Sequence, residues 1–396
     1  MRILLHDYGH FAFPVELSRE LAYRGHHILH LYAGSNPTPH DLVSHNETDP
    51  ANLIFQGVYI DEPLQKNSFV KRWLQEREYG RLLVAEVDRF KPNLVISADT
   101  PLDPQASLLK KCKKLGIPFV FWLQDVVGLA TYLILKNKIP VLGSLIGKYY
   151  IHLERQLLRQ SEKIILITED FLPLLEGWNI DQSKTVVIPN WAPINEIPIR
   201  PRDNQWAKEH DLIDKLCFMY TGTLGLKHNP VLLLELAIHY KDKPNVMIVI
   251  VSETIGANWL REKKEELSLK NLIILDFQPF DQMQYVLASA DVLLAILDED
   301  AGIFSVPSKV LTYLCAQRPL LLAVPEENFS ARIVTQSQAG IVVNSNDVVG
   351  FIRGAEDLLR DDSLRDSFGK NGRSYAEKNF DIQLITDKFE TILNLK

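Results

Sequence analysis

The sequence is poor in the features that most often announce a chemistry. Its 396 residues include three cysteines, Cys112, Cys217 and Cys315, widely spaced and without a C-x-x-C pair. That argues against a disulfide framework or a cysteine-based zinc site and fits a reducing compartment. Basic residues are outnumbered, 43 Lys and Arg against 50 Asp and Glu, for a formal net charge of -7. This balance argues against general nucleic-acid binding. Long apolar runs are also missing. The longest, roughly 126–147, is broken by Lys136, Lys138 and Pro140 and makes a poor spanning helix. Met1 to Leu5 runs straight into His6 and Asp7, so no signal peptide is expected and the chain reads as cytoplasmic. There is no Walker A loop, no G-x-G-x-x-G turn, no internal repeat and no low-complexity tract.

What is present is alternation. In the first half, short apolar runs at Ile3 to Leu5, Ile28 to Ala33, Leu94 to Ser97, Pro118 to Leu123, Lys163 to Thr168 and Thr185 to Ile188 read as strands. Helical patterns lie between them, such as Leu17, Leu21 and Ala22 after Pro14. Pro189, Pro193, Pro198 and Pro201 then mark an aperiodic stretch that reads as a stiff linker. A second series follows, at Leu216 to Tyr220, Val246 to Val251, Leu272 to Leu275, Asp291 to Leu297, Leu320 to Val324 and Gly340 to Val343. Apolar strands separated by amphipathic helices predict parallel sheets covered on both faces. The expected fold is α/β, two doubly wound Rossmann-like lobes facing a cleft. Residues 1–190 form the first lobe, 191–204 the linker and 205–376 the second lobe. A terminal helix within 377–396 places Ile382, Ile385, Phe389, Ile392 and Leu393 on one face and is expected to return to the first lobe.

In doubly wound sheets ligands bind beyond the carboxyl ends of the strands, so post-strand loops carry the candidates. The sharpest is the turn Gly222-Thr223-Leu224-Gly225, followed by Lys227 and His228 before the next helix. Glycines let backbone amides approach a phosphate, and a helix start favours negative charge. An ordinary glycine-containing turn is the competing reading. The second candidate is Ser308-Lys309 at a helix start, where acids rather than a cation are usual; a bound anion accounts for a lysine there. Asp298-Glu299-Asp300 has the spacing of a metal motif but reads better as a polar loop.

These pieces, in their order, resemble the donor-binding region of family-4 glycosyltransferases, retaining enzymes with the GT-B fold. The matching segments are the Gly222-Thr223-Leu224 turn, Phe277-Gln278-Pro279, Ala290-Asp291-Val292, Pro307-Ser308-Lys309 and the helix running to Gln317-Arg318-Pro319. The resemblance implies that Gly222, Thr223, Leu224, Lys227, His228, Phe277, Gln278, Phe304, Ser305, Ser308, Lys309 and Thr312 meet the nucleotide-sugar. It implies no cofactor and no metal, the diphosphate being held by cations and amides. The chain departs from the family in several places. Phe304 and Thr312 stand where two glutamates are usual, and Thr223 where an arginine is usual. His228 stands at the family's lysine with Lys227 beside it, and Ser252-Glu253-Thr254 replaces a G-x-G turn. Lys227 is the favoured diphosphate contact because it is charged at neutral pH.

In the first lobe the loops hold Asp7 and His10, Asp99, and Asp125. Asp7, Asp99 and Asp125 are candidates to orient an acceptor hydroxyl, with loop capping as the alternative. Lys227, Asp125 and His10 are the expected catalytic set. Between 126 and 163, Lys136, Lys138, Lys148, Arg155, Arg159 and Lys163 face only Glu154 and Glu162, a basic and apolar stretch suited to an anionic membrane face. The implied activity is hexosyl transfer, UDP-sugar favoured, to a saccharide or lipid-linked acceptor in polysaccharide or glycolipid assembly. A sugar-nucleotide epimerase and a non-catalytic two-lobed binder are the alternatives.

Overall fold

The computed structural model describes residues 1–9, 11–36, 43–62, 69–225, 228–299 and 308–395. The chain divides into two compact units, Met1–Asn190 with Ile382–Lys396, and Trp191–Asp381.

The first unit is built on seven parallel strands: β1 Arg2–Asp7, β2 His27–Ala33, β3 Leu53–Val58, β4 Leu94–Ala98, β5 Phe119–Leu123, β6 Lys163–Leu166 and β7 Thr185–Val187. Their order is β3-β2-β1-β4-β5-β6-β7. Every residue of β4 and β5 is buried. Successive strand side chains point to opposite faces, so both faces are covered. The edge strand β3, LIFQGV, is only half-buried and carries Gln56 and Gly57. Its apolar run, Leu53 to Phe55, ends at Gln56 and Gly57, and the sequence reading passes over it.

The apolar 126–163 stretch folds as a pair of helices, Val127–Lys138 and Pro140–Gln160. Pro140 takes the first position of the second helix, where its missing N–H costs nothing. Among the described residues no helix is long and apolar enough to cross a membrane.

The helix Ile382–Leu393 belongs to this unit, whereas residues 377–379 still belong to the preceding helix, Asp362–Asn379. Phe389 packs edge-on against Trp122 at 5.1 Å. Arg24 fastens the helix from outside, donating to Asp387 at 2.6 Å, Glu390 at 2.7 Å and the Gln383 carbonyl at 2.8 Å. His26 adds a 3.0 Å contact to Glu390. We expect Arg24→Ala to cost about 2 kcal/mol, because several charge-assisted bonds are lost together. A lowered urea midpoint with faster amide exchange over 382–393 would show it.

The second unit holds six parallel strands: β8 Leu216–Thr221, β9 Val246–Val251, β10 Leu272–Leu275, β11 Val292–Ile296, β12 Leu320–Ala323 and β13 Gly340–Val343. Their order is β10-β9-β8-β11-β12-β13. The 191–204 stretch groups with this unit. Arg200 donates to Gln284 at 2.8 Å, and Arg202 reaches Asp291 at 3.0 Å. The Asn204 amide bonds the Tyr285 carbonyl and Ser289. These bonds bind the proline-rich segment along the unit.

Candidate functional site

Each sheet reverses its strand order once, at β1/β4 in the first and at β8/β11 in the second. At such a point the two flanking crossovers leave on opposite faces, and the loops at the strand ends enclose a crevice.

In the second sheet that crevice joins the two motifs singled out in the sequence. The turn after β8 starts at Gly222, whose φ is +101. A Cβ there would lie at ordinary distance, 3.7 Å, from Lys309 Cε. The backbone angle, rather than lack of space, therefore demands glycine. Lys309, at the start of helix Lys309–Cys315, places its ammonium 3.6 Å from the centre of the Tyr220 ring and 3.4 Å from the Thr223 carbonyl. Tyr220 is buried and donates to the same carbonyl at 2.6 Å. From the same helix, the buried Tyr313 hydroxyl accepts the Thr221 amide at 2.8 Å. The helix is thus tied to β8 by one tyrosine, and its lysine is held over the turn by another.

The structure corrects one part of the sequence reading. The Gly222, Leu224 and Gly225 amides do not form an open cradle. They donate to the Val251 carbonyl at 2.9 Å, Thr254 Oγ1 at 2.8 Å and His228 Nδ1 at 3.0 Å. The turn folds onto β9 and onto itself, so among the described residues the positive charge at this point comes from Lys309. His228 is buried and closes the turn through Nδ1, which leaves the proton of a neutral ring on Nε2. Ser308 stands at the helix start, and its side chain makes no capping bond among the described residues. Thr312 is half-buried one turn further on. Phe277 and Gln278 follow β10, two strands from β8. The Phe277 amide bonds Glu253 at 2.8 Å, and Gln278 Oε1 accepts the Trp206 indole N–H at 3.1 Å. Lys227, Phe304 and Ser305 lie outside the described residues, as does Asp300. Among the described residues no group of three or more His, Cys, Asp or Glu side chains is placed to hold a metal ion.

In the first sheet, β1 ends in His6 and Asp7, both fully buried. Asp7 accepts the Gly9 amide at 3.2 Å and the Phe11 amide at 2.6 Å. It shapes the loop instead of presenting a carboxylate at its surface. His6 lies between the Tyr79 hydroxyl at 2.8 Å and Thr100 Oγ1 at 2.9 Å. Burial pushes its pKa down to about 3, so it is neutral at neutral pH. His10 lies outside the described residues. Asp99 and Asp125, at the ends of β4 and β5, are half-exposed and border one recess with Thr100, Gln105, Gln124 and Glu154. Asp99 has φ +41, the left-handed region that aspartate tolerates better than most residues.

Two family models match in succession: Glycosyltransferase Family 4 over residues 12–196 and Glycosyl transferases group 1 over residues 203–375. These two glycosyltransferase models match the chain along most of its length, and its two parallel sheets have the GT-B fold. The chain is 22% identical over 230 residues to a Pseudomonas aeruginosa protein named as the glycosyltransferase WbjE, an alignment covering 58% of this chain and 57% of that one. The chain thus spans little more than half the length of that relative. It is 21% identical over 312 residues to WcaI of Escherichia coli, named for a colanic acid biosynthesis glycosyl transferase, covering 76% and 74% of the two chains. In solved structures it is similar to Anabaena Alr3699/HepE in complex with UDP-glucose, with TM-score 0.74, 12% identity and full coverage of both chains.

For the transferase, the two donor-lobe motifs found in the sequence are brought together by the structure, and Asp99 and Asp125 are brought to one recess. Sequence reasoning missed Tyr313, Thr254, Gln105 and Glu154. Tyr313 lies inside the quoted helix motif and was open to notice. Thr254 belonged to a segment marked only as a departure. Gln105 and Glu154 sit in helices, where polar residues read as solvent-facing.

Proposed function

We propose that this glycosyltransferase moves a hexosyl unit from a UDP-sugar to a saccharide hydroxyl, with retention at the anomeric carbon, in polysaccharide or glycolipid assembly. The observation that carries the reading is the Lys309 ammonium held over the Gly222 turn at the strand-order reversal of the second sheet. A diphosphate leaving group develops negative charge as the glycosidic bond breaks, and a fixed cation stabilises it. Lys227, two residues after Gly225 in the sequence, is the second cation proposed for the diphosphate. Ser308 and Thr312 offer hydroxyls for the nucleotide, and Gly222, Thr223, Leu224, His228, Phe277, Gln278, Phe304 and Ser305 complete the donor set. No metal is required. Asp99 and Asp125 orient the acceptor, and Asp125 with His10 of the sequence motif makes up the proposed acceptor-side catalytic pair. A thermal-shift screen over UDP, GDP, ADP and their sugars tests the donor, since a specific ligand raises the melting temperature. Stabilisation by UDP and UDP-sugars in the presence of EDTA supports the reading; none by any nucleotide sinks it. The anomeric configuration of the product, read by NMR, tests retention.

The helical pair in the first unit supports work at a membrane face. On helix Pro140–Gln160, Val141, Leu142, Leu145 and Tyr149 fall on one side and are 80%, 56%, 63% and 53% exposed. Gly143, Gly147, Tyr150 and Glu154 form the opposite, buried side. Ile134, Ile139, Lys136, Lys138 and Lys148 are also exposed, and no carboxylate occurs between Asp125 and Glu154. Arg155 and Arg159 turn away to the Trp178 carbonyl, so the basic face is narrower than the whole 126–163 stretch. Apolar side chains ringed by lysines match an anionic lipid surface. We expect the protein to sediment with phosphatidylglycerol vesicles, less so at high salt, and Val141→Asp with Leu145→Asp to abolish this. Wild type left in the supernatant would exclude the membrane role.

A further inference from the structure

The recess of the first unit contains two polar atoms that the fold leaves unmet. Glu154 is fully buried on helix Pro140–Gln160. Its Oε2 accepts the Gly128 amide at 3.0 Å, at the start of helix Val127–Lys138. That helix has no side-chain cap of its own, so Glu154 supplies one from its neighbour. Gly128 permits the approach, since a Cβ there would come within 2.8 Å of Oε2 and of the Tyr150 carbonyl. Helix capping accounts for one carboxyl oxygen. The other, Oε1, is buried with no partner among the described residues.

Gln105 is 1% exposed on helix Leu102–Leu115. Its Nε2 points to the Ser97 carbonyl at 3.4 Å and Ser97 Oγ at 3.3 Å. A carbonyl can only accept, which fixes nitrogen on that side and oxygen on the other. That Oε1 is also buried with no partner among the described residues. Both residues line the recess bordered by the half-exposed Asp99 and Asp125. Buried polar atoms in natural folds are met by protein, water or ligand. Two unmet ones in a single recess indicate that the third partner comes from outside.

We propose that this recess is a subsite for one hydroxyl group of the acceptor saccharide, whose O–H donates a hydrogen bond to Gln105 Oε1 and whose oxygen accepts one from Glu154. A hydroxyl needs one acceptor and one donor, and these two atoms are that pair. Burial, with Asp125 adding to it, pushes the Glu154 carboxyl up to about 8, so it holds a proton at neutral pH. The inference rests on the transferase reading and adds Gln105 and Glu154 to the acceptor site. A bound water has the same chemistry, and the test separates the two.

The probes are methyl α- and β-pyranosides of glucose, galactose and mannose, observed by saturation-transfer NMR with the full-length protein. The proteins are wild type, Glu154→Gln, Glu154→Leu and Gln105→Leu, each also titrated with UDP-glucose. At least one pyranoside is expected to bind wild type and Glu154→Gln, which keeps a donor facing the recess. Its binding should weaken about tenfold in Glu154→Leu and in Gln105→Leu, with UDP-glucose affinity unchanged in all four. Gln105→Leu keeps the helix cap, so its loss of binding cannot be a folding effect of removing Glu154. A pyranoside bound equally by all four proteins, or by none, overturns the subsite and leaves the recess to water. Failure of UDP-glucose to bind wild type would instead count against the donor reading.

Discussion

Lys309→Ala is expected to lower kcat/KM for the UDP-sugar by about 10²- to 10³-fold, the loss typical of one preorganised charge-stabilising donor. The ammonium stands 3.6 Å from the Tyr220 ring centre and beside the Gly222 turn, at the β8/β11 reversal. Its own contribution to folding is small, since a part-exposed cation–π contact is worth about 0.5–1 kcal/mol. The thermal midpoint should therefore barely move while turnover collapses. Lys309→Arg should recover part of the activity, because charge is kept while the point geometry is not. Lys227→Ala is expected to behave like Lys309→Ala. Full activity in both alanine variants would remove the phosphate site from the second unit.

Glu154→Gln is expected to stabilise the protein at alkaline pH and to leave it nearly unchanged in acid. The sign follows from proton binding. Unfolded, the Glu154 carboxyl ionises near its usual 4.5; folded, burial keeps the proton until about 8. Between those values the unfolded state binds fewer protons, so stability falls as pH rises, and it levels off above about 8. The displacement corresponds to on the order of 5 kcal/mol, which the glutamine escapes because it has no proton to lose. His6 acts in the opposite direction. Its pKa is pushed down to about 3, so stability falls as pH drops below the usual 6.5 towards 3. That slope is common to both proteins, and the difference between their unfolding midpoints isolates Glu154. A constant difference from pH 4 to 9 would show that Glu154 is ionised in the folded chain.

The strands of the second unit were legible as apolar runs: Val246–Val251, Leu272–Leu275 and Gly340–Val343 have the limits that the pattern predicts. Central strands bury both faces and so carry unbroken apolar sequence. The edge strand β3 buries only part of itself, and its short apolar run, Leu53 to Phe55, gives way to Gln56 and Gly57 and was passed over. The Gly222 turn and the Ser308-Lys309 helix start could each be picked out from residue type and position. Their chemistry could be misjudged from the same evidence, as the committed amides of Gly222, Leu224 and Gly225 show.

The sequence by itself determined the two series of strands and helices, the apolar lysine-flanked stretch and the two donor-side motifs. These depend on local periodicity, on glycine and proline geometry and on charge, all of which are carried within a few residues. Only the tertiary structure decided that Lys309 reaches the Gly222 turn and that Gln105 and Glu154 open onto one recess. Such meetings depend on which strands become neighbours, and β8 lies beside β11 although two strands separate them in the chain. A polar residue in a helix reads the same whether it faces solvent or is buried between helices. Burial distinguishes the two, and burial is a property of the packed fold.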